Sequence, residues 1–466
     1  MLRTPSLASW RFIFLAVPFL IFTAVQARTI DCDVCVVGGG SGGFGAALSA
    51  ARAGANVVLV EKLDRIGGTS TAGFVSNWEP GPGCSFAREL YDRLAKEEHA
   101  VAVAPRTHNY TPEEPYGLCL GDPRYSYDDS LRRAGVPLDR QCSVVMKPEA
   151  LAAAMEALLR EAGVQILLNT AFQRVELSDG LIRHITCSSN TGETTLIQAT
   201  VFIDATGDVT LCREAGCEVM LGEEGRDKFN EPSAPDTPRR FLNAISLCYR
   251  IVKTDTPAPP VPPAASEERF GKSAFIYGIH DRELIVNTLA LTPGMDLVDK
   301  GYDEMLAASR KRAAAHWAWL WTLPAFQGYT LEDVAPMPGI RESYRVVTDY
   351  ILTEQDVRAG LASQTHHDMI AVADHALDIH GGGHGTKELG GPYGIPYRCL
   401  LPRNTKNLLV ACRGAGFSHI AASSCRLSRT MIALGHAAGI AAAEAAAKDG
   451  GVRAVDGAGL ARALEF

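Results

Sequence analysis

Residues 34–61 read VCVVGGGSGGFGAALSAARAGANVVLVE, and the reading of this stretch decides the fold. An apolar run over 34–37 ends in Gly38, Gly40 and Gly43, spaced GxGxxG. Small residues over 44–52 give a helical pattern, and Gly54 stands where a left-handed residue closes a helix. A second apolar run, 57–60, ends in Glu61. Strand, tight turn, helix, strand and acid within about 30 residues form the context that a dinucleotide-binding fingerprint requires. Gly38 permits the turn, Gly40 puts no side chain between backbone and pyrophosphate, and Gly43 with Ala47 lets the helix close onto the sheet. The helix N-terminus offers N–H groups and a positive dipole end to phosphates. Glu61 suits the two ribose hydroxyls and would repel a 2′-phosphate, which argues against an NADP-type ligand.

Working outward, the chain has 466 residues, 47% of them hydrophobic, enough for a large core and two structural units. The net charge of −8 argues against a nucleic-acid partner. Residues 1–27 have the grammar of a cleavable export signal: Arg3 and Arg11, an apolar stretch over 12–25, then Val25-Gln26-Ala27. The expected location is therefore secreted or periplasmic, with no stable membrane span after cleavage. Removal takes two arginines and no acid, moving the net charge to −10. All twelve cysteines follow this segment. Cys32 and Cys35 fall inside the first strand and read as packing residues. Cys119 and Cys142 flank a polar stretch and are the disulfide candidates of an exported chain. No metal-ligand spacing is present.

After Glu61, the Gly67-Gly68 doublet followed by Thr69, Ser70 and Thr71 implies backbone pressed against a ligand. Residues 105–142, rich in Pro, Tyr, Asp and Arg, read as an insertion, and 148–163 as a helix. Runs at 165–168, 171–177, 181–187 and 194–203, with turns such as Ser178-Asp179-Gly180, read as a strand meander. It leads into Asp204-Ala205-Thr206-Gly207-Asp208. The stretch TPAPPVPPAA reads as a solvated loop, and 301–320 and 354–376 as helical. Near the end, 407–412 is a buried strand, 413–416 a turn, and 427–448 a helix whose Gly435 and Gly439 imply tight packing on a flat surface.

Three further segments carry a family likeness: IRESYRVVTDYILTEQDV at 340–357, YGIPYRCLLP at 393–402, and residues 407–439. With the fingerprint and 204–208, they resemble the FAD-dependent oxidoreductase family, whose secreted bacterial members have no assigned substrate. The wider likeness is to the fumarate reductase and succinate dehydrogenase flavoproteins. The resemblance implies an α/β fold: a Rossmann-like FAD-binding domain with a central parallel sheet, helices and a small antiparallel meander, and an inserted α+β cap domain. The FAD domain would come from 28–105, 143–218 and 391–466, the cap from 219–390, with 106–142 as an excursion. By the same resemblance Gly38, Gly40, Ser41 and Gly43 hold the pyrophosphate. Glu61 and Lys62 lie at the adenosine, and Gly67, Gly68 and Thr69 near the flavin. Thr206, Gly207 and Asp208 form the second cofactor contact, Arg413 and the start of the helix after Arg426 face the isoalloxazine, and Arg426 could contact flavin or substrate. Relatives carry an acid soon after the histidine of the last turn, whereas this chain has Ser418-His419-Ile420-Ala421. No histidine lies in 67–74, so covalent flavin attachment there is not expected.

Hydride transfer to flavin needs positioning and a proton acceptor. His419, after the Gly-rich turn, is the first candidate. Arg341 and Arg345 could clamp a substrate carboxylate, or tie cap to core as ion pairs. Asp378 and His380, before the HGGGHG loop, could line the cap side. The expected activity is oxidation of a small polar organic molecule, with electrons passed to oxygen or another acceptor. An NAD-dependent dehydrogenase would have no use for the Gly-Gly, 204–208 or C-terminal blocks. A non-catalytic flavin-binding protein remains an alternative. An α/β-hydrolase would need its oxyanion loop before the serine of GxSxG at 39–43, and here HGGG follows it.

Overall fold

The computed structural model describes residues 28–79, 85–107, 114–131, 142–260, 274–382, 385–449 and 451–464. The 1–27 segment lies outside these residues, as do much of the Pro-rich stretch and part of the HGGGHG loop.

The first strand, Arg28–Val37, is solvated along its first half and fully buried over its last four residues. Such a continuous apolar end suits a parallel strand covered on both faces. It pairs in parallel with Val57–Val60 on one side and Thr194–Asp204 on the other. Among the described residues the sheet has seven strands, ordered Gln165–Leu167, Val57–Val60, Arg28–Val37, Thr194–Asp204, Leu181–Ser189, Thr170–Ser178, with Leu408–Val410 also on Thr194–Asp204. The long Thr194–Asp204 strand is shared. Its start pairs antiparallel with the meander and its end pairs in parallel with Leu408–Val410. Both ends of the chain therefore meet on one strand, directly before the 204–208 turn.

Helix Ser41–Arg52 starts three residues earlier than the sequence pattern indicates, because Gly40 in an extended conformation serves as its N-cap. Gly38 adopts φ +101°, and a Cβ there would lie 2.7 Å from the Ala205 carbonyl. Helix Ser428–Ala446 packs on this first helix rather than on a flat sheet face. A Cβ on Gly435 would lie 2.0 Å from the Gly42 carbonyl oxygen, and one on Gly439 2.2 Å from that of Ala46.

The middle of the chain builds a second, eight-stranded sheet. Tyr249–Lys253, Ala274–His280, Glu283–Asn287 and Tyr329–Val334 come from the expected cap, backed by helix Tyr302–Leu320. Asn77–Trp78, Val101–Thr107, Tyr116–Leu120 and Cys142–Met146 join them. The strand from the expected excursion is thus a structural member of this sheet, and 77–146 leaves the boundary expected for the FAD domain. Tyr116–Leu120 pairs with the nearby Val101–Thr107 on one side, but its other partner, Ala274–His280, lies more than 150 residues away, which local patterning does not reveal. Cys119, in the middle of that sheet, points its thiol at the Ala104 carbonyl and forms no disulfide with Cys142. The helix expected over 354–376 ends at Ala359, where Gly360 takes φ +67°, and a strand follows at Met369–Ala373. Among the described residues no helix is long and apolar enough to cross a membrane, and no side-chain cluster suits a metal ion.

Candidate active site

A cavity of about 790 Å³ runs between the two sheets. At one end it is lined by Gly38, Gly40, Ser41, Glu61 and Lys62, then by Thr206, Gly207, Asp208 and Arg413. Gly68, Thr69, Leu427 and Ser428 lie along its middle, and Arg341, Asp378, His380 and Arg426 at its far wall.

The fingerprint end fits the dinucleotide that the resemblance implies. A Cβ on Gly40 would meet nothing within 4 Å, so its backbone faces open cavity. Helix Ser41–Arg52 has no side-chain cap and no acid in its first turn, which leaves its N–H groups to a phosphate. Gly43 does not reach the cavity. A Cβ there would lie 1.8 Å from the Gly38 carbonyl oxygen, so Gly43 lets the helix close on the turn. Gly67 likewise lies behind the wall, its N–H donating to the Gly39 carbonyl oxygen. The buried Glu61 carboxylate accepts from the N–H groups of Gly39 (2.6 Å) and Leu63 (2.8 Å). Burial pushes its carboxyl up, those N–H groups opposing. Each of its oxygens retains a lone pair for a ribose hydroxyl. Lys62 places its amine over the Tyr302 ring, 5.0 Å from the centroid, so a cap residue reaches this end of the cavity.

The 204–208 turn is organised by Asp204, fully buried, which accepts from the N–H groups of Thr206 and Cys212 and from the Thr206 hydroxyl. Asp208 accepts from Ser343 and Arg413. The Arg413 guanidinium occupies the space a Cβ on Gly207 would need. Helix Ser428–Ala446 opens onto the cavity with neither side-chain cap nor first-turn acid. Its positive end suits negative charge at a flavin pyrimidine edge.

Two expected catalytic residues stand elsewhere. Arg345 is completely buried behind the wall. It pairs with Glu224 (2.9 Å) and Glu342 (3.1 Å) and donates to the Gly222 and Phe417 carbonyls, the ion-pair reading rather than the clamp. His419 is also buried off the cavity. Its Nδ1 lies 2.8 Å from Glu342 Oε1, its Nε2 has no hydrogen-bond partner among the described residues, and its ring meets Phe241 edge-on at 5.7 Å. The acid missing from its local sequence is supplied by Glu342, from the 340–357 block.

The far wall holds the other two. His380 Nε2 lies 2.7 Å from Asp378 Oδ2, and Arg426 reaches the same carboxylate at 3.2 Å. Thr386 donates to the other Asp378 oxygen. Burial, with Arg341 and Arg426 nearby, pushes His380 down to about 4. Despite burial, the bonds to His380 and Arg426 hold the Asp378 carboxyl far below the usual range. His380 is therefore neutral at pH 7. With Nε2–H donated to Asp378, its Nδ1 carries the lone pair. Arg341 donates to the carbonyls of Ala244 (2.7 Å) and Leu289 (2.9 Å), and no acidic side chain pairs with it among the described residues. Burial lowers it to about 10, still charged at pH 7. Tyr277, Asn287 and Tyr302 from the cap also line the cavity, as does His375. No motif marks them. Tyr277 and Asn287 are single polar residues in otherwise ordinary strands, Tyr302 opens a helix, and His375 lies in the loop between Met369–Ala373 and Leu377–Ile379.

A family profile described as "FAD dependent oxidoreductase" matches residues 33–464. A 4-oxocyclohex-2-ene-1-carboxylate 5-dehydrogenase from Sinomonas cyclohexanicum is 39% identical over 87 residues, which is 19% of this chain and 15% of that protein. A urocanate reductase from Eggerthella lenta is 58% identical over 45 residues, 10% of this chain and 7% of that protein. The chain thus matches only a small part of each curated relative. Among solved structures, a geranylgeranyl bacteriochlorophyll reductase-like protein from Thermoplasma acidophilum aligns at TM-score 0.49 and 14% identity, covering 94% of this chain and 83% of its own.

Proposed function

The chain belongs to the FAD-dependent oxidoreductase family, and from that premise we propose that it oxidises a small polar molecule carrying one negative charge. The electrons would then pass to oxygen or another acceptor. FAD supplies the hydride-accepting chemistry when bound.

The observation that carries this reading is the charge of the far wall. Arg341 and Arg426 bring two positive charges and Asp378 one negative, with His380 neutral. One positive charge, that of the half-buried Arg341, lacks an ion-pair partner among the described residues, and charge withdrawn from water is costly unless paired. A carboxylate or similar oxyanion on the substrate meets that need, with Arg341 as its anchor. His380 Nδ1 would take the proton from the substrate's hydroxyl or amine as the adjacent C–H gives up its hydride. Asp378 fixes the tautomer that makes this possible. Tyr277 and Tyr302 add cap side chains to the lining of the cavity. One relative is named for a carboxylate substrate, the same charge class.

The test is anaerobic mixing of purified holoprotein with 2-hydroxy and 2-amino acids and with their uncharged amides and esters, following flavin absorbance. The reading expects bleaching by acids and little by their neutral counterparts. It fails if only neutral or cationic compounds bleach the flavin, or if His380→Gln leaves the rate unchanged. We read residues 1–27 as an export signal, to be checked by the N-terminus of the exported protein in mass spectrometry.

A further inference from the structure

His419 lies off the cavity, yet it is joined to the far wall through three successive contacts. Its Nδ1 lies 2.8 Å from Glu342 Oε1. Glu342 Oε2 accepts from both nitrogens of Asn243, the backbone N–H at 3.2 Å and the side-chain amide at 3.1 Å. Asn243 Oδ1 then accepts from the backbone N–H of His380 at 2.8 Å. The next residue completes the link. Ala244 N–H donates to the His380 carbonyl at 3.0 Å, and its own carbonyl accepts from the Arg341 guanidinium.

Both backbone groups of His380 and one donor of Arg341 thus rest on the Asn243-Ala244 dipeptide. An asparagine amide can face either way, since its oxygen and nitrogen are close in shape. A carboxylate beside it removes that freedom, because an ionised Glu342 can only accept. It forces Nδ2 toward itself and Oδ1 toward His380. Burial pushes the Glu342 carboxyl up, but His419 and Arg345 outweigh burial and hold it below the ordinary range. All members of the chain are buried, so none can be replaced by water without cost.

We infer that His419, Glu342 and Asn243 form a positioning chain that sets the orientation of His380 and Arg341, and that His419 takes no proton from substrate. This rests on the proposed role of His380, and the experiment separates the two.

Flavin reduction is measured by stopped flow with a bleaching substrate in holoprotein variants. His380→Gln alone tests the underlying reading. His419→Gln keeps a donor toward Glu342 but has no basic nitrogen, and is expected to stay within about threefold of the parent. His419→Ala and Asn243→Ala are each expected to slow reduction roughly tenfold to a hundredfold, as misplacement of a reacting group does. In the His380→Gln background the same two changes are expected to add little, because the group they position is gone. If His419→Ala does not fold, Asn243→Ser carries the same comparison, since a serine hydroxyl reaches less far than the amide. A merely structural role would lower melting temperature and FAD content without that non-additivity. Losses that multiply in the His380→Gln background, or a His419→Gln variant as slow as His419→Ala, would overturn the inference.

Discussion

Asp378 Oδ2 lies 2.7 Å from His380 Nε2, and this contact sets the tautomer of the far wall's base while opposing the fall in its titration point. A free histidine titrates near about 6.5, whereas burial, Arg341 and Arg426 bring His380 down to about 4. A base works in its neutral form, so its activity is lost as pH falls through the folded value. The bimolecular rate of flavin reduction should be level from about pH 8 to about pH 5 and decline about tenfold per unit below about pH 4. The stability sign is the same. A depressed folded value contributes stability that is complete above about 6.5 and is lost as pH falls through about 4. Reduction rates in overlapping buffers check this, and an acid limb centred between pH 6 and 7 would rule it out.

Arg341 spends two hydrogen bonds on carbonyls and none on a carboxylate. Arg341→Met should therefore weaken binding of an anionic substrate by about 1.5–3 kcal/mol, the range for hydrogen bonds to charged groups. That corresponds to an increase in KM of roughly 10- to 150-fold. The affinity for the neutral amide of the same compound should barely move. Difference-spectrum titrations of the holoprotein with both compounds provide the comparison, and equal losses for both would show that Arg341 packs rather than anchors.

Much of this was readable in the chain because its causes are local. The Gly38-Gly40-Gly43 turn needs glycine for backbone approach, and the apolar runs on either side admit little but buried parallel strands. The meander announced itself by its turn residues. The second sheet did not, because Tyr116–Leu120 finds its parallel partner at Ala274–His280. Nor did the end of the helix at Ala359, which Gly360 alone marks inside a stretch of helix-forming residues. At the site, Arg341 stood out as a possible clamp for a carboxylate, and His380 and Arg426 by their places next to Gly-rich turns. His419 stood out too, yet its place was set by Glu342, 77 positions earlier, and by Phe241. Motif position indicates that a residue is near a site. Only tertiary contacts decide on which side of the wall it lies.

Gly435 and Gly42 bring two helices into backbone contact behind the cofactor cradle. A methyl group on Gly435 would sit 2.0 Å from the Gly42 carbonyl oxygen, with no flexible side chain to yield. Gly435→Ala should cost about 1–3 kcal/mol, the usual cost of overpacking. Because Gly42 belongs to the first turn of the phosphate-facing helix, FAD content should fall as well. Gly328→Ala is the control: a Cβ there meets nothing within 4 Å and its φ is not in the left-handed range. It should change stability by less than about 0.5 kcal/mol. Thermal melts with and without added FAD distinguish the two, and equal melting temperatures would mean that the helices separate at no cost.

Glu61 performs two tasks with one carboxylate. It ties down the N–H groups of Gly39 and Leu63 and keeps lone pairs toward the cavity. Gln in its place presents one acceptor oxygen where the structure uses two, so one of those N–H groups loses its partner. An unsatisfied buried donor costs about 1–3 kcal/mol, and FAD affinity should fall roughly 5- to 150-fold. Once the variant is saturated with FAD, flavin reduction should proceed at the parent rate, because Glu61 lies at the end of the cavity away from His380. Burial raises the Glu61 carboxyl, so protonation at acid pH should mimic the variant, and the parent should release FAD more readily as pH falls. Titration of the deflavinated protein with FAD, followed by quenching of flavin fluorescence, measures both effects. An unchanged dissociation constant in Glu61→Gln would show that the carboxylate serves the turn alone and leaves the ribose to solvent.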